Sequence, residues 1–444
     1  MDKRYISCDT LKQYEENYNN DGHYKLLTQV LSKTDINNLS YNTQGQVPNP
    51  HMFSINIKTM KALNQYGTGR CWLFAAHNVL RELIAAKINV EFLELSQNYT
   101  AFWDKFERAN YFLLNIIDTA DKDIDDREVV FLIDTGVSDG GQWDMFVNVT
   151  EKYGIVPKIV MPETHQSNNS HMMNTILNRN LKHNAVILRN MCSVGSPIKD
   201  VLEVKDGMMK DIYAFLRSCY GNIPAEFDFE YKDKDDNYHK ESGLTPMSFK
   251  EKYIGSMLND YAGIIHGPTA DKPFDKLYTV SRLGNVEGSP TVRHLNLELA
   301  DFKQMVVNQL KDDEVVWFGC DCGKDGDGSI NLWDDTLYDY KNLTKLNVDF
   351  TKAEQLDYKL SAMNHAMVIT GVHLDGDKPV RWKIENSWGD GGANGGYHTM
   401  SDSWFDKYVY QAVVNKKYLG DKVKLLDETP ITLKPWDPMG TLAD

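Results

Sequence analysis

Three residues carry the first chemical suggestion: Cys71, His365 and Asn386. Cys71 follows the turn-forming Gly-Thr-Gly-Arg of "LNQYGTGRCWLFAAHNVLREL" (63–83) and opens an apolar run. Trp72, Ala76, Val79, Leu80 and Leu83 recur at helical spacing, so a helix starting near Cys71 is expected, with one apolar face. In the first turn of a helix, free N–H groups and the positive end of the macrodipole favour an anion. That placement is expected to lower a thiol pKa and favour the nucleophilic thiolate. Arg70 adds a nearby positive charge in sequence. A buried, inert thiol is the competing reading of Cys71, because free cysteine is among the most buried residue types.

A cysteine nucleophile needs a base, and the base needs an orienting partner. Of the twelve histidines, most lie in polar stretches (His23, His165, His171, His239) where solvation suffices. His365 instead stands at the entry to the apolar strand "AMVITGV", where a side chain is held while its tip faces a cleft. His373 reads as an exposed neighbour on the same strand. In "RWKIENSWGDGG", Asn386 shares a face with Trp382 and Ile384. An asparagine there can accept from one imidazole nitrogen and leave the other for the thiol, with Trp388 covering the bond. A structural asparagine before Gly389 is the bland alternative. Each residue alone is weak evidence, but the order Cys, His on a strand, then Asn-Ser-Trp-Gly is specific.

These residues need elements to hold them. The front of the chain reads as helical: residues 71–117 are strongly so, and a further helix is expected from Trp143 to Tyr153 after the Gly140-Gly141-Gln142 entry. "VVFLIDTGV" before it reads only as an apolar run. Residues 162–260 read as mostly helical and polar, and "EYKDKDDNYHKESG" as a solvated loop or hairpin tip. From about residue 261 the pattern turns to strands: "YAGIIHG", "LYTVSRLG", "VVWFGCDCG", "NHAMVITGVHL", "VRWKIENSWG" and "YHTMS". Helices in front and strands behind give an α+β class, two layers facing across a cleft.

A chain of 444 residues supports two or three domains or one large core with insertions. The net charge of −15 argues against a dedicated nucleic-acid or anionic-membrane binder. No apolar run is long enough to span a membrane, and the polar start lacks a signal peptide's apolar core, so a cytoplasmic location is expected. Six unevenly spaced cysteines (8, 71, 192, 219, 320, 322) then read as reduced thiols. The Cys320-Asp321-Cys322 pair is expected to place both side chains on one strand face in a structural role, with no metal site. The acidic residues 321–329 miss the pattern of a calcium loop, with Ile330 and Thr336 where Gly and Glu belong.

The stretches "NQYGTGRCWLFAA" (64–76), "DGGQWDM" (139–145), "VVWFGCDCGKDG" (315–326), "NHAMVITGV" (364–372), "IENSWGDGG" (384–392) and "PWDPMGTLAD" (435–444) resemble the papain-type cysteine peptidases, and within them the bleomycin hydrolase and aminopeptidase C family. The resemblance is spread over nearly the whole chain. It implies a papain-like fold with a helical half, a β-barrel-like half and large helical insertions. The expected organisation is an N-terminal arm (1–60), a helical half with the nucleophile (61–120), a mainly helical insertion (121–260), a β-rich half with His and Asn (261–430, with an insertion near 330–361) and a C-terminal arm (431–444) entering the cleft.

It further implies that Cys71 attacks the peptide carbonyl, His365 moves the proton, Asn386 orients the imidazole, and Gln65 donates to the oxyanion with the Cys71 N–H. Substrate contacts are expected from Asp444, Ala443, Trp388 and Asn364. A terminal carboxylate on the arm would meet the substrate's amine and make an aminopeptidase. An oligopeptide endopeptidase on the same scaffold is the alternative, since Thr441, the extra Asp444, Tyr66, Thr68 and the "GGANGGYHTM" loop depart from the family's pattern. The resemblance implies no cofactor, peptide substrates and a homohexamer.

Overall fold

The computed structural model describes residues 4–444, so the first three residues of the expected N-terminal arm lie outside the described residues. Its frame is a mixed sheet of twelve strands among the described residues. At the centre, strand 316–320 pairs antiparallel with 409–415 on one side and with His365–Asp375 on the other. His365–Asp375 continues into Lys378–Glu385, and that strand into Tyr397–Ser401, all antiparallel. Strand 261–265 extends the other side of 409–415. These central strands are buried on both faces, which is why they read as near-continuous apolar runs rather than alternating ones.

One face of the sheet carries the helices Leu299–Lys311 and Asp402–Tyr408, with Phe302, Val306, Leu310, Trp404 and Phe405 packed against Phe318, Met367, Ile369 and Trp382. The other face receives the helix Cys71–Ile88. A one-sided apolar helix was the expectation from its spacing. Instead, every residue from Cys71 to Arg81 is buried. The helix lies between the sheet and a second helical layer, so its polar residues find buried partners: Arg81 meets Glu385 at 2.7 Å and Asn78 donates to the same carboxylate at 2.8 Å. It stops where Asn89 turns into the left-handed region (φ 55°) and caps Ala85 O.

The helical layer is built from Gln97–Asp118, Trp143–Tyr153, His171–Ser193 and Ile198–Tyr220. The helix expected at Trp143–Tyr153 has those bounds. The apolar run before it folds as a further helix, Arg127–Thr135, capped by Asp126. Within 121–260 the helices are joined by an antiparallel hairpin, Phe227–Lys232 with Tyr238–Leu244, whose turn carries the charged stretch and places Asp236 at φ 63°. Cys320 ends its strand, and Cys322 lies in the turn beyond, so the two thiols do not share a strand face as expected. Among the described residues no helix is long and apolar enough to cross a membrane.

Candidate active site

Cys71, His365 and Asn386 come together where the helix meets the sheet. Cys71 is the first residue of its helix, and Leu73 and Phe74 N–H groups close the first turn onto Arg70 O at 3.0 and 3.1 Å. The Arg70 side chain turns away to Glu163 (3.0 Å), so its charge serves that ion pair. The Ala366 N–H, next to His365, donates to Cys71 Sγ at 3.4 Å. His365 opens its strand, and its Nε2 lies 2.9 Å from Asn386 Oδ1. An amide oxygen only accepts, so Nε2 carries the proton and Nδ1 is left with a lone pair. Asn386 follows the strand end at Glu385, and its Oδ1 also accepts the Ser387 N–H at 2.8 Å. The Trp388 ring stacks on His365 with centroids 5.2 Å apart, shielding that bond while staying half exposed itself.

Gln65 is held on this side of the cleft. Its N–H donates to Ser387 O at 2.8 Å, its Oε1 accepts from Ser387 Oγ at 2.5 Å, and its Nε2 donates to Thr68 O at 2.6 Å. An amide nitrogen carries two hydrogens, so one remains for another acceptor. Tyr66, beside it, adopts φ 54°, an uncommon conformation for a non-glycine residue, and is exposed.

The C-terminal arm lies in the cleft. Lys272 holds Asp437 at 3.0 Å in a buried pair, and Gln142 Nε2 donates to Thr441 O at 2.8 Å. Ala443 then pairs antiparallel with Gly141, through N–H to O bonds of 2.9 and 3.2 Å. The Asp444 N–H donates to Asn364 O at 3.0 Å, immediately before His365. Ala443 is fully buried. Of the four expected substrate contacts, Asn364, Ala443 and Asp444 therefore meet on one side of Cys71, and Trp388 stands by His365. Asn364 is itself fixed, donating to Asp321 at 2.6 Å and accepting from Cys322 N–H at 3.1 Å.

The electrostatics differ from the expectation of a lowered thiol pKa. Burial pushes the Cys71 thiol well up; the Ala366 N–H opposes this, and Cys322 and Asp444 add to it. Burial likewise pulls His365 down to about 4, against the Asn386 hydrogen bond. Burial thus works against the charged form of both members of the pair. The helix terminus still favours an anion there, but removal from water outweighs it.

Sequence reasoning passed over the group that shapes the loop before Cys71. Asp139 is buried and ion-paired with Lys105, and it accepts from Ser170 Oγ, from Asn174 Nδ2 (2.9 Å) and from the Gly69 N–H (3.3 Å). Burial works against its charge, but Lys105 and the hydrogen bonds hold its carboxyl well below the usual range. Its backbone O also accepts from Trp72 Nε1 at 2.7 Å. The aspartate opening "DGGQWDM" was the available signal; its partner on a helix 34 residues earlier was not. Among the described residues no group of three His, Cys, Asp or Glu side chains could hold a metal ion.

Comparison with known proteins places the chain in a family. Residues 5–440 match the Peptidase C1-like family. The chain is 46% identical over 442 residues to aminopeptidase C of Lactobacillus delbrueckii subsp. lactis, covering 99% of this chain and 98% of that one. It is 40% identical over 389 residues to the bleomycin hydrolase of Rattus norvegicus, covering 86% of each. The crystal structure of PepW from Lactobacillus rhamnosis HN001 superposes with a TM-score of 0.96 at 45% identity, over 99% of this chain and 100% of that one. With its papain-like α+β fold, the chain belongs to the Peptidase C1-like family as a cysteine peptidase of the aminopeptidase C and bleomycin hydrolase type.

Proposed function

We propose that the protein is a thiol aminopeptidase that removes N-terminal residues from peptides through an acyl-enzyme. The single observation that carries this reading is the seat of the arm. Ala443 lies on Gly141 and Asp444 on Asn364, so one side of the cleft is filled by the chain's own end. A substrate has room to extend only on the other side, which restricts cleavage to the bond after its first residue.

In this mechanism His365 Nδ1 takes the Cys71 proton as the sulfur attacks the scissile carbonyl. Charge develops at the helix N-terminus, where it is favoured, and the imidazolium is stabilised by the 2.9 Å bond to Asn386. The carbonyl oxygen, becoming negative, takes the Cys71 N–H and the second hydrogen of Gln65 Nε2. His365 then gives its proton to the departing amine. Water attacks the thioester in turn, activated by the same imidazole. No cofactor is called on. The acidic balance of −15 supports a peptidase without nucleic-acid or anionic-membrane partners, and a cytoplasmic location is part of this reading. The likeness to the family supports a homohexamer.

The test pairs an aminoacyl fluorogenic amide with its N-acetylated twin under reducing conditions, with Cys71→Ser as control. Cleavage of the free amine alone, lost in Cys71→Ser, is expected. Equal or preferential cleavage of the blocked substrate means that the cleft is open past the arm and the protein is an endopeptidase. Activity surviving in Cys71→Ser overturns the assignment of the nucleophile.

A further inference from the structure

Away from the arm, a cavity of about 620 Å³ adjoins the catalytic residues at Asn64, Tyr66 and Trp388. Its far end is formed by Phe92, Glu94 and Lys158. The same three residues border a second hollow of about 340 Å³, walled by Ile159, Pro157, Phe229 and Tyr231. The two volumes, together termed the track, adjoin at these residues, and each is within the range of ligand-binding clefts. It is bracketed at its start by the Asn64–Trp388 bridge, whose residues flank Gln65 on one strand and lie two beyond Asn386 on the other.

Large apolar groups along this track face water. Ile159 is 85% exposed, Trp388 50% and Phe92 48%. Exposed apolar surface gathered along one path marks a site that is covered in use. The charges at the waist are already paired: Lys158 Nζ lies 3.0 Å from Glu94 and 3.1 Å from Glu163, and donates to Gln97 at 2.9 Å. The Lys61 ammonium sits over the Phe92 ring, 5.8 Å from its centroid. Beyond the paired waist, the groove offers contact area and little unpaired charge.

We propose that this track binds the part of a peptide substrate that lies beyond the scissile bond, and that the groove at Phe92, Ile159 and Phe229 selects an apolar side chain several residues downstream. The proposal rests on the aminopeptidase reading. Two features commit it to that occupant. The cavity's wall at Asn64 and Trp388 flanks Gln65 and stands against His365, and the opposite side of the cleft is occupied by residues 443–444, so a peptide that continues past the scissile bond meets this cavity. The protein then prefers oligopeptides with a distant apolar residue over single aminoacyl amides, although the chemistry at the bond is the same.

The experiment compares three substrates sharing one N-terminal leucine: a leucyl arylamide, a hexapeptide with phenylalanine at positions four and five, and the same hexapeptide with serine there. The wild-type protein is expected to cleave the phenylalanine peptide with a KM about tenfold below that of the serine peptide at similar kcat, the ratio of one well-placed apolar contact. Ile159→Asp and Phe92→Asp, both at exposed positions, should each remove that ratio, and Ile159→Leu should keep it. Equal KM for the two hexapeptides in the wild type overturns the proposal. So does a ratio that survives both aspartate variants, or that falls only because the variants change the sedimentation of the native assembly, which would make the groove an interface between copies of the chain. A wild-type protein that cleaves none of the three substrates would instead overturn the peptidase reading on which the groove's occupant rests.

Discussion

Ending the chain at Ala443 should raise aminopeptidase activity. In the full chain the Asp444 N–H occupies Asn364 O at 3.0 Å, on the backbone beside His365. On the aminopeptidase reading a substrate's amino end must displace it. The anchors further back are independent of Asp444: both Ala443–Gly141 bonds, the Gln142–Thr441 bond and the Lys272–Asp437 pair remain when it is removed. Competition therefore falls by one backbone hydrogen bond, worth about 1 kcal/mol net. The Asp444 charge also helps to push the Cys71 thiol up, so its loss acts in the same direction. Together these imply a gain in kcat/KM of roughly 5- to 10-fold for free-amine substrates, since each 1.36 kcal/mol is about tenfold. The assay measures kcat/KM on an aminoacyl arylamide for the two chains, with mass spectrometry confirming that Asp444 is still attached in the longer one. The N-acetylated twin should stay poor for both, because Ala443 still closes the cleft. Equal kcat/KM with Asp444 intact would refute the reasoning. A gain shared fully by the blocked substrate would show instead that the arm had left the cleft.

Two further perturbations address the scaffold. Lys105→Met leaves Asp139 buried without its cation, and breaking a buried pair from one side costs about 3–5 kcal/mol; urea unfolding should show it, and a loss under about 1 kcal/mol would mean that Ser170, Asn174 and the Gly69 N–H suffice. Acid should unfold the protein through its histidines. Burial holds His77 at about 3 and His266, His294, His365 and His398 at about 4. These folded values lie below the usual 6.5, so the unfolded chain binds protons first, and stability falls as pH drops from about 6.5 towards 4. The urea midpoint should fall steeply over that window, with uptake of several protons on unfolding; a midpoint flat from pH 7 to 5 would contradict the burial of these rings.

The chemistry-bearing residues were legible because they stand at element boundaries that the sequence punctuates. Gly67 and Gly69 mark the start of the Cys71 helix, the change to β-branched residues after His365 marks its strand, and Gly389 closes the turn after Asn386. What escaped depends on contacts between distant residues. The Lys105–Asp139 pair joins a mid-helix lysine to a loop, and nothing local distinguishes that lysine from a solvated one. The thiol pKa was misjudged for a similar reason. Helix position is local and argues for a lower value, whereas the burial that raises it, and the smaller push from Asp444, come from parts of the chain distant in sequence. The apolar run at 127–135 has the length of a strand or a short helix, and period alone does not separate them; the Asp126 cap does.

On the aminopeptidase reading, the floor of the cleft explains why the arm and a substrate would compete for one place. Gly69, Gly140 and Gly141 have φ values that any residue could adopt, so their lack of a side chain is a matter of space. A Cβ on Gly140 would lie 2.7 Å from Ala443 O, one on Gly69 would overlap the Asp444 carboxylate, and one on Gly141 would run into the Trp72 indole. The floor thus presents backbone to whatever chain lies on it, and a strand-like backbone is bound through hydrogen bonds that are blind to sequence. Such a floor does not by itself limit where a peptide is cut. On the aminopeptidase reading, the limit comes from having one side of the floor occupied by residues 443–444, and any preference among peptides has to come from the walls on the open side, at Trp388, Phe92 and Ile159. Position along the peptide and choice of peptide would then be set by separate residues, on opposite sides of Cys71.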